Sequence, residues 1–333
     1  MSMDVQLLYE VQGSPWGGVN SFFRNFKEYA KDDNRIHLVN SSDEADIILT
    51  AGNYIGPGKK LSLAHLWWLS KRRDFSWPFP FPYLKTRERG KLVFRLDGLR
   101  EVYTGLRNPS DSRLIRNLRF ADGIVFQSNF SKDIFEKRGV IAPRQQSIIT
   151  NGADENIFFP KNLCKSPIDG ELVLISSSWS TNSLKGFKEI ARISEEDVRV
   201  RHIGRWPDGI SSSNVARLGV MGPREMATTL QQGDFFFFPS RNEACSNVLH
   251  EALACALPPI YLESGGNSQI CEDGKFGIPF READFEKERL EQLLSKAREQ
   301  HDYIRSNIIE DLDRFTFKRC YEEYLRFFES MLV

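Results

Sequence analysis

The stretch Phe235–Glu251, FFFFPSRNEACSNVLHE, decides how the chain reads. Four consecutive phenylalanines ending at Pro239-Ser240 read as a fully buried strand that stops abruptly. They are core, and no cofactor box. Arg241 to Cys245 form a short polar turn. Ser246 is then placed to cap a helix running through Asn247, Val248, Leu249, Glu251 and Ala252 towards Leu257. A buried strand, a tight turn and a helix N-terminus is how open α/β sheets build anion sites. Two acids lie eight residues apart here, Glu243 in the turn and Glu251 on the helix.

The 333 residues are long for one domain and comfortable for two. A hydrophobic content of 41% supports real cores, and 27% charged residues supply an ordinary wet surface. The 45 basic and 45 acidic side chains cancel, so no global field favours nucleic acid, and none is expected as a partner. The best local basic patch is Lys71-Arg72-Arg73 with Lys85–Arg89. Five scattered cysteines without CxxC spacing point to a reducing compartment and no zinc site. The start, MSMDVQLLYEVQG, lacks the basic n-region and apolar core of a signal peptide, and no apolar run approaches a membrane span. These features predict a cytoplasmic protein, compatible with resting on the inner membrane face.

Before the deciding stretch, strands alternate with helices. Val5–Tyr9 is a short strand running into a glycine turn, Gly13 to Gly18, with a helix from Val19 to about Ala30. Glycines allow close approach to a ligand and a helix start favours negative charge, although a tight turn alone explains the pattern equally well. Ile36–Val39, Asp46–Thr50, Lys91–Leu96, Gly123–Gln127 and Gln146–Ile149 read as strands, and Ala51–Lys60 as a loop. Arg113–Phe120 is helical, and Ser128 caps a helix through Lys137. Asp97 follows a strand directly, the position where α/β folds place functional groups. The aromatic-proline stretch Trp77–Tyr83, with basic neighbours, suits an acceptor-binding loop or a membrane-surface contact, or a plain packed loop.

The polar, proline-bearing segment Ala153–Gly170 marks a domain boundary. Beyond it, Glu171–Ser176 and Val198–Gly204 are strands, with Lys185-Gly186 leading into a helix near Phe187–Ile193. Val215–Gly222 gives a short strand and turn, and Pro223 starts a helix through Leu230. After the deciding stretch come a strand at Pro259–Leu262, a turn at Gly265-Gly266-Asn267, a charged helix from Phe285 to about Leu312, and an amphipathic helix over Phe315–Leu332. The alternation predicts parallel sheets with helices on both faces. Two such domains suggest a ligand at the strand C-termini of both.

At this point the residues resemble a known family, the retaining GT-B glycosyltransferases of family 4 (glycosyl transferases group 1). In chain order the matching pieces are Gly17-Gly18-Val19, Arg95-Leu-Asp-Gly98, Ala121–Ser128, Thr150-Asn-Gly-Ala-Asp154 with Phe158 and Pro160, Lys185-Gly186, and Glu243-x7-Glu251. The last, placed after a strand ending in Pro-Ser, is the most specific. The resemblance implies two Rossmann-like doubly wound domains facing each other across a cleft. It places an acceptor-side domain over residues 1–155, a nucleotide-sugar domain over 156–314, and a C-terminal helix over 315–333 that returns to the first domain.

The resemblance also implies the donor, a UDP- or GDP-sugar, and an acceptor that is a glycan or a lipid-linked chain. Catalysis falls to Glu243, Lys185 and Asp97. Lys185 and the amides of Asn247 and Val248, after Ser246, would hold the diphosphate, with Gly17 and Gly18 closing over it. Glu251 would take the ribose hydroxyls, Glu243 the transferred sugar, and the turn around Met221 the base. No metal or other cofactor is expected. One departure stands out. The family carries an arginine a few residues before the lysine, where this chain has Trp179 and Ser180. Ser180 can donate a hydrogen bond but no charge, and Arg205 is a candidate replacement. The alternatives are a sugar phosphorylase or epimerase on the same plan, or a nucleotide-sugar-binding protein without transferase activity.

Overall fold

The computed structural model describes residues 2–13, 17–52, 54–56, 59–71, 90–141, 143–161, 170–285 and 287–333. The aromatic-proline stretch Trp77–Tyr83, most of its basic neighbours and the middle of the first glycine turn lie outside the described residues. Two compact units result, Met1–Ile149 with Tyr321–Val333, and Thr150–Cys320.

The N-terminal unit runs β1 (Met3–Leu8), α1 (Gly17–Lys31), β2 (Ile36–Leu38), β3 (Ile47–Thr50), β4 (Tyr54–Gly56), β5 (Lys59–Lys60), α2 (Leu63–Lys71), β6 (Lys91–Leu96), α3 (Arg100–Thr104), α4 (Pro109–Asn117), β7 (Gly123–Phe126), α5 (Asn129–Lys137) and β8 (Gln145–Ile148). Its sheet has the order β2-β1-β3-β6-β7-β8, every pair parallel. Parallel strands covered on both faces need apolar side chains on both, and β3 and β7 are buried at every position. Three details differ from the sequence reading. The helix α1 starts at Gly17, not Val19. The presumed loop 51–60 contains the antiparallel pair β4–β5. And α4 begins four residues before Arg113, because the Asn108 side chain accepts from Ser110 N and Pro109 occupies the first turn.

The second unit runs β9 (Leu172–Ser178), α6 (Phe187–Ile193), β10 (Val198–Gly204), β11 (Val215–Gly219), α7 (Pro223–Leu230), β12 (Phe235–Phe238), α8 (Asn247–Ala254), β13 (Pro259–Leu262), α9 (Asn267–Ile270), β14 (Ile278–Phe280), α10 (Lys287–Glu310) and the start of α11 (Phe317–Leu332). The sheet order is β11-β10-β9-β12-β13-β14, again with parallel pairing. The four phenylalanines of β12 are 0–3% exposed, and Phe237 stacks on Phe280 at 5.6 Å. Truncating one such ring to alanine costs about 3–5 kcal/mol. The expected α/β class with two doubly wound sheets is therefore present.

The chain lays β9, β10 and β11 in one direction and then returns to place β12 on the other side of β9. Such a reversal of strand order is where open α/β sheets form a ligand crevice at the strand C-termini. The end of α11 belongs to the N-terminal unit. There Tyr321 and Tyr324 meet Phe26 at 5.0 and 6.0 Å, and Tyr324 meets Phe22 at 5.0 Å, so part of its amphipathic face packs on α1. No helix among the described residues is long and apolar enough to cross a membrane.

Candidate active site

The β9–α6 loop and the β12–α8 loop are locked together by backbone. Gly186, with φ +75°, begins α6. A Cβ there would lie 2.6 Å from Pro239 Cβ and from the Pro239 carbonyl oxygen, so only glycine permits the approach. Arg241 N donates to the Leu184 carbonyl at 2.8 Å. The Asn182 side chain accepts from Leu184 N at 3.0 Å and sets the short turn that ends in Lys185. Side chains on this loop are thus fixed relative to those on the next.

Glu243 sits in a cradle built the same way. Asn242 adopts φ 57°, and a Cβ on Gly265 would lie 2.4 Å from the Glu243 carbonyl oxygen. Gly266 N donates to that oxygen at 2.8 Å. Asn267, fully buried, donates to the carbonyls of Ser240 and Leu262, each at 3.1 Å. Within this frame Ser240 Oγ donates to Glu243 Oε1 at 2.7 Å, and Lys185 Nζ forms an ion pair with the same oxygen. The pair is partly buried, with side-chain exposures of 27% and 18%. The two residues that were expected to serve different ends of the donor are therefore direct partners.

The helix α8 presents its N-terminus to the same edge. Ser246 occupies the N-cap position in an extended conformation, but its side chain makes no capping bond, contrary to expectation. Its carbonyl instead accepts from His250 Nδ1 at 2.9 Å. Burial holds the His250 imidazole down at about 4, so it is neutral and donates to the serine. The first amides of a helix, here those of Asn247 and Val248, have no acceptor inside it. A residue without an assigned role holds this end in place. Asn151 Nδ2 donates to Cys245 O at 3.2 Å and to Asn247 Oδ1 at 2.7 Å, and Arg319 donates to the carbonyls of Thr150 and Asn151. The signal was Thr150-Asn-Gly-Ala-Asp154, which sequence alone gives no task. Glu251, one turn along α8, is partly buried, and its charge adds to burial in pushing the Cys255 thiol up to about 12.

The remaining donor-side candidates fall on neighbouring loops. Ser180 is exposed, and its Oγ accepts from Asn182 N at 3.2 Å, which ties it to the loop's own turn. Met221 follows β11, partly buried, with Thr229 Oγ1 at 3.6 Å from its sulfur. Arg241 is clamped by Glu189 and Glu282, each at 2.7 Å, and borders an open hollow of about 470 Å³ shared with Asn242, Glu263, Ser264 and Arg281. A smaller hollow of about 70 Å³, reached by His301 and Arg305, lies where β12 and β13 begin. That is the edge away from these residues, and Arg305 there donates to the Ala256 carbonyl after α8.

In the N-terminal unit, Gly17 has φ +69° at the first position of α1, which glycine alone adopts easily, and Gly18 follows it in the helix. Asp97 directly follows β6. Its carboxylate pairs with Arg95 and accepts from Gln127 Nε2. Arg95 is 1% exposed and lies over the Phe22 ring at 4.2 Å. Burial, with the Asp97 charge second, raises the Tyr9 phenol. Among the described residues no group of three or more His, Cys, Asp or Glu side chains is arranged to hold a metal ion.

Residues 181–296 match the family model described as "Glycosyl transferases group 1". That span contains Lys185, Glu243 and Glu251. No curated protein matches the sequence. Among solved structures, Anabaena Alr3699/HepE in complex with UDP and glucose is similar at a TM-score of 0.69 and 15% identity, over 98% of this chain and 100% of that one. Sucrose-phosphate synthase (tll1590) from Thermosynechococcus elongatus gives 0.66 and 15% over 98% of both chains. WaaG, a glycosyltransferase involved in lipopolysaccharide biosynthesis, gives 0.63 and 15%, over 97% of this chain and 98% of that one. The fold is that of the GT-B glycosyltransferases.

Proposed function

We propose that this chain is a retaining glycosyltransferase of family 4 that moves a sugar from a nucleoside-diphosphate sugar to a glycan or lipid-linked acceptor, without a metal. One observation carries the reading. Lys185, Glu243 and the N-terminus of α8 meet at the crevice where the second sheet reverses its strand order. A cation and unpaired helix-end amides suit a diphosphate, while the adjacent carboxylates of Glu243 and Glu251 suit the hydroxyls of a sugar and a ribose. The match over 181–296 and the UDP and glucose bound by HepE support the same assignment.

In this reading the diphosphate lies against the amides of Asn247 and Val248, and Lys185 neutralises charge as it departs. Bond breaking at the anomeric carbon leaves oxocarbenium character on the sugar and negative charge on the diphosphate. Stabilising the latter with fixed dipoles lowers the barrier, because they need no reorganisation. A departing phosphate oxygen takes the acceptor hydroxyl's proton as the new bond forms on the same face, which retains configuration. Glu243, held by Ser240 and Lys185, orients the sugar. Asp97 is assigned to the acceptor side. The part WaaG plays in lipopolysaccharide biosynthesis supports an envelope glycan or lipid-linked acceptor at a membrane face.

The test is transfer and hydrolysis across UDP-, GDP- and ADP-sugars, with the product anomer read by NMR and each assay repeated in EDTA. Turnover with retention and no loss in EDTA is expected. The tryptophan at 179, where an arginine is expected, favours a second reading, a nucleotide-sugar-binding protein. Tight nucleotide binding without turnover on any donor would select it. An epimerised or phosphorolysed sugar would select the isomerase or phosphorylase alternative.

A further inference from the structure

We propose that Arg205, seated on the indole of Trp179, is the second cation on the donor's diphosphate. The assignment rests on reading the second unit as a nucleotide-sugar site. It starts from charge. Lys185 is already committed to Glu243, and Arg241 to Glu189 and Glu282, so the two loops at the crevice offer a diphosphate little uncompensated positive charge. Arg205 forms no ion pair with any carboxylate among the described residues.

Its backbone is fixed to the strand that carries the Lys185 loop. Gly204 pairs with Ser178 in the β10–β9 register. Gly204 has φ +104°, and a Cβ there would fall 2.1 Å from the Ser178 carbonyl oxygen. Arg205 N donates to that carbonyl at 2.9 Å. The Arg205 carbonyl accepts from His202 Nε2 at 3.1 Å, while His202 Nδ1 takes the Ser176 hydroxyl at 2.8 Å, a tautomer that suits a buried neutral ring. The residues that follow the paired positions are Arg205 and Trp179, and the guanidinium lies 4.7 Å over the indole, which is 45% exposed. A guanidinium on an aromatic face keeps its in-plane N–H fork available for phosphate oxygens.

The sheet order supplies the final argument. Strands run β11-β10-β9-β12, so the loops bearing Met221, Arg205, Lys185 and Glu243 follow one another along the C-terminal edge. A nucleotide with its base near Met221 and its phosphates at α8 has to pass the β10 loop. Trp179 thus replaces the expected arginine with a platform for one from the adjacent strand.

The test measures binding of UDP and GDP, and of uridine and guanosine, by calorimetry to the wild-type chain, Arg205→Met, Arg205→Lys, Trp179→Leu and Lys185→Met. Losing a charge-assisted phosphate contact should weaken the bound diphosphate at least about tenfold in Arg205→Met. The matching nucleoside should stay within about twofold, since it carries no phosphate. Lysine should recover part of the loss, and Trp179→Leu should show a smaller one. Diphosphate affinity unchanged in Arg205→Met, while Lys185→Met is weakened, would overturn the assignment and leave the donor site standing. Equal losses of diphosphate and nucleoside would overturn it as well, by showing only a folding role. A wild-type chain that binds no diphosphate would overturn both readings together.

Discussion

The C-terminal edges of the two sheets are built from the same kind of strand yet differ in how their polar groups are held. In Thr150–Cys320 the edge is a web of backbone contacts. Gly186 packs on Pro239, Gly265 on the Asn242–Glu243 turn, and Gly204 on Ser178. Charged groups of both signs, Lys185 and Glu243 among them, project from these short loops. In the N-terminal unit the carboxylate of Asp97, after β6, is held by side chains instead, the buried Arg95 and Gln127. Close backbone approach fixes a site to within fractions of an ångström, which suits a donor whose diphosphate is the same in every reaction. Under the proposed function, a carboxylate held by side chains, as Asp97 is, suits the partner that varies.

The largest effect expected from this contrast is on chemistry. Lys185→Ala should lower kcat by about 100- to 1,000-fold, as loss of one fixed donor to a developing charge does. Transfer rates with saturating donor check it, and a loss under about tenfold would make the two edges equivalent. Acid should come next. His202 and His250, both in the second unit, are held down at about 4 by burial. Their folded values lie below the ordinary 6.5, so the neutral rings contribute full stability above pH 6.5, and it is lost as the pH falls towards 4. By pH 5 each should cost the second unit roughly 2 kcal/mol. Urea unfolding at pH 7 and pH 5 should show this unit melting first in acid. His202→Gln and His250→Gln should flatten the dependence.

Gly186→Ala should destabilise the second unit by roughly 2 kcal/mol, through a positive φ and contact with Pro239. Thermal unfolding reads the change, and no shift would mean the loops are less tightly joined than the contact requires. Glu251→Ala should weaken nucleotide binding about tenfold, with pyrophosphate binding unchanged. Unchanged nucleotide affinity would remove the ribose assignment. The smallest effect on the donor is reserved for the other edge. Asp97→Asn should leave UDP or GDP affinity within about twofold while raising KM for the acceptor. Equal losses for donor and acceptor would erase the distinction between the edges.

Much of the fold was legible because parallel strands covered on both faces must be apolar throughout. Phe235–Phe238 could be little else, and Pro239-Ser240 marked its end. Pro223 fixed the start of α7, and Gly186 the start of α6, since each residue has few other uses in such a place. Less legible were features decided by distant partners. A strand residue such as Arg95 gives no sign that it will be buried beneath Asp97. Nothing local says that Asn151 will hold Cys245 and Asn247, 94 and 96 residues away. Ser246 had the right chemistry for a cap, yet His250 takes its carbonyl and its hydroxyl is not used for the helix. The start of α4 was different. Asn108-Pro109 carried a cap-and-proline signal that places the boundary four residues earlier than Arg113.

The measurement that bears most directly on the donor site is a crystal structure with UDP or GDP bound. The account predicts the diphosphate within hydrogen-bonding distance of the Val248 amide and Lys185 Nζ, and the ribose on the Glu251 carboxylate. A nucleotide bound away from the β9 and β12 loops, or none at millimolar concentration, would contradict it.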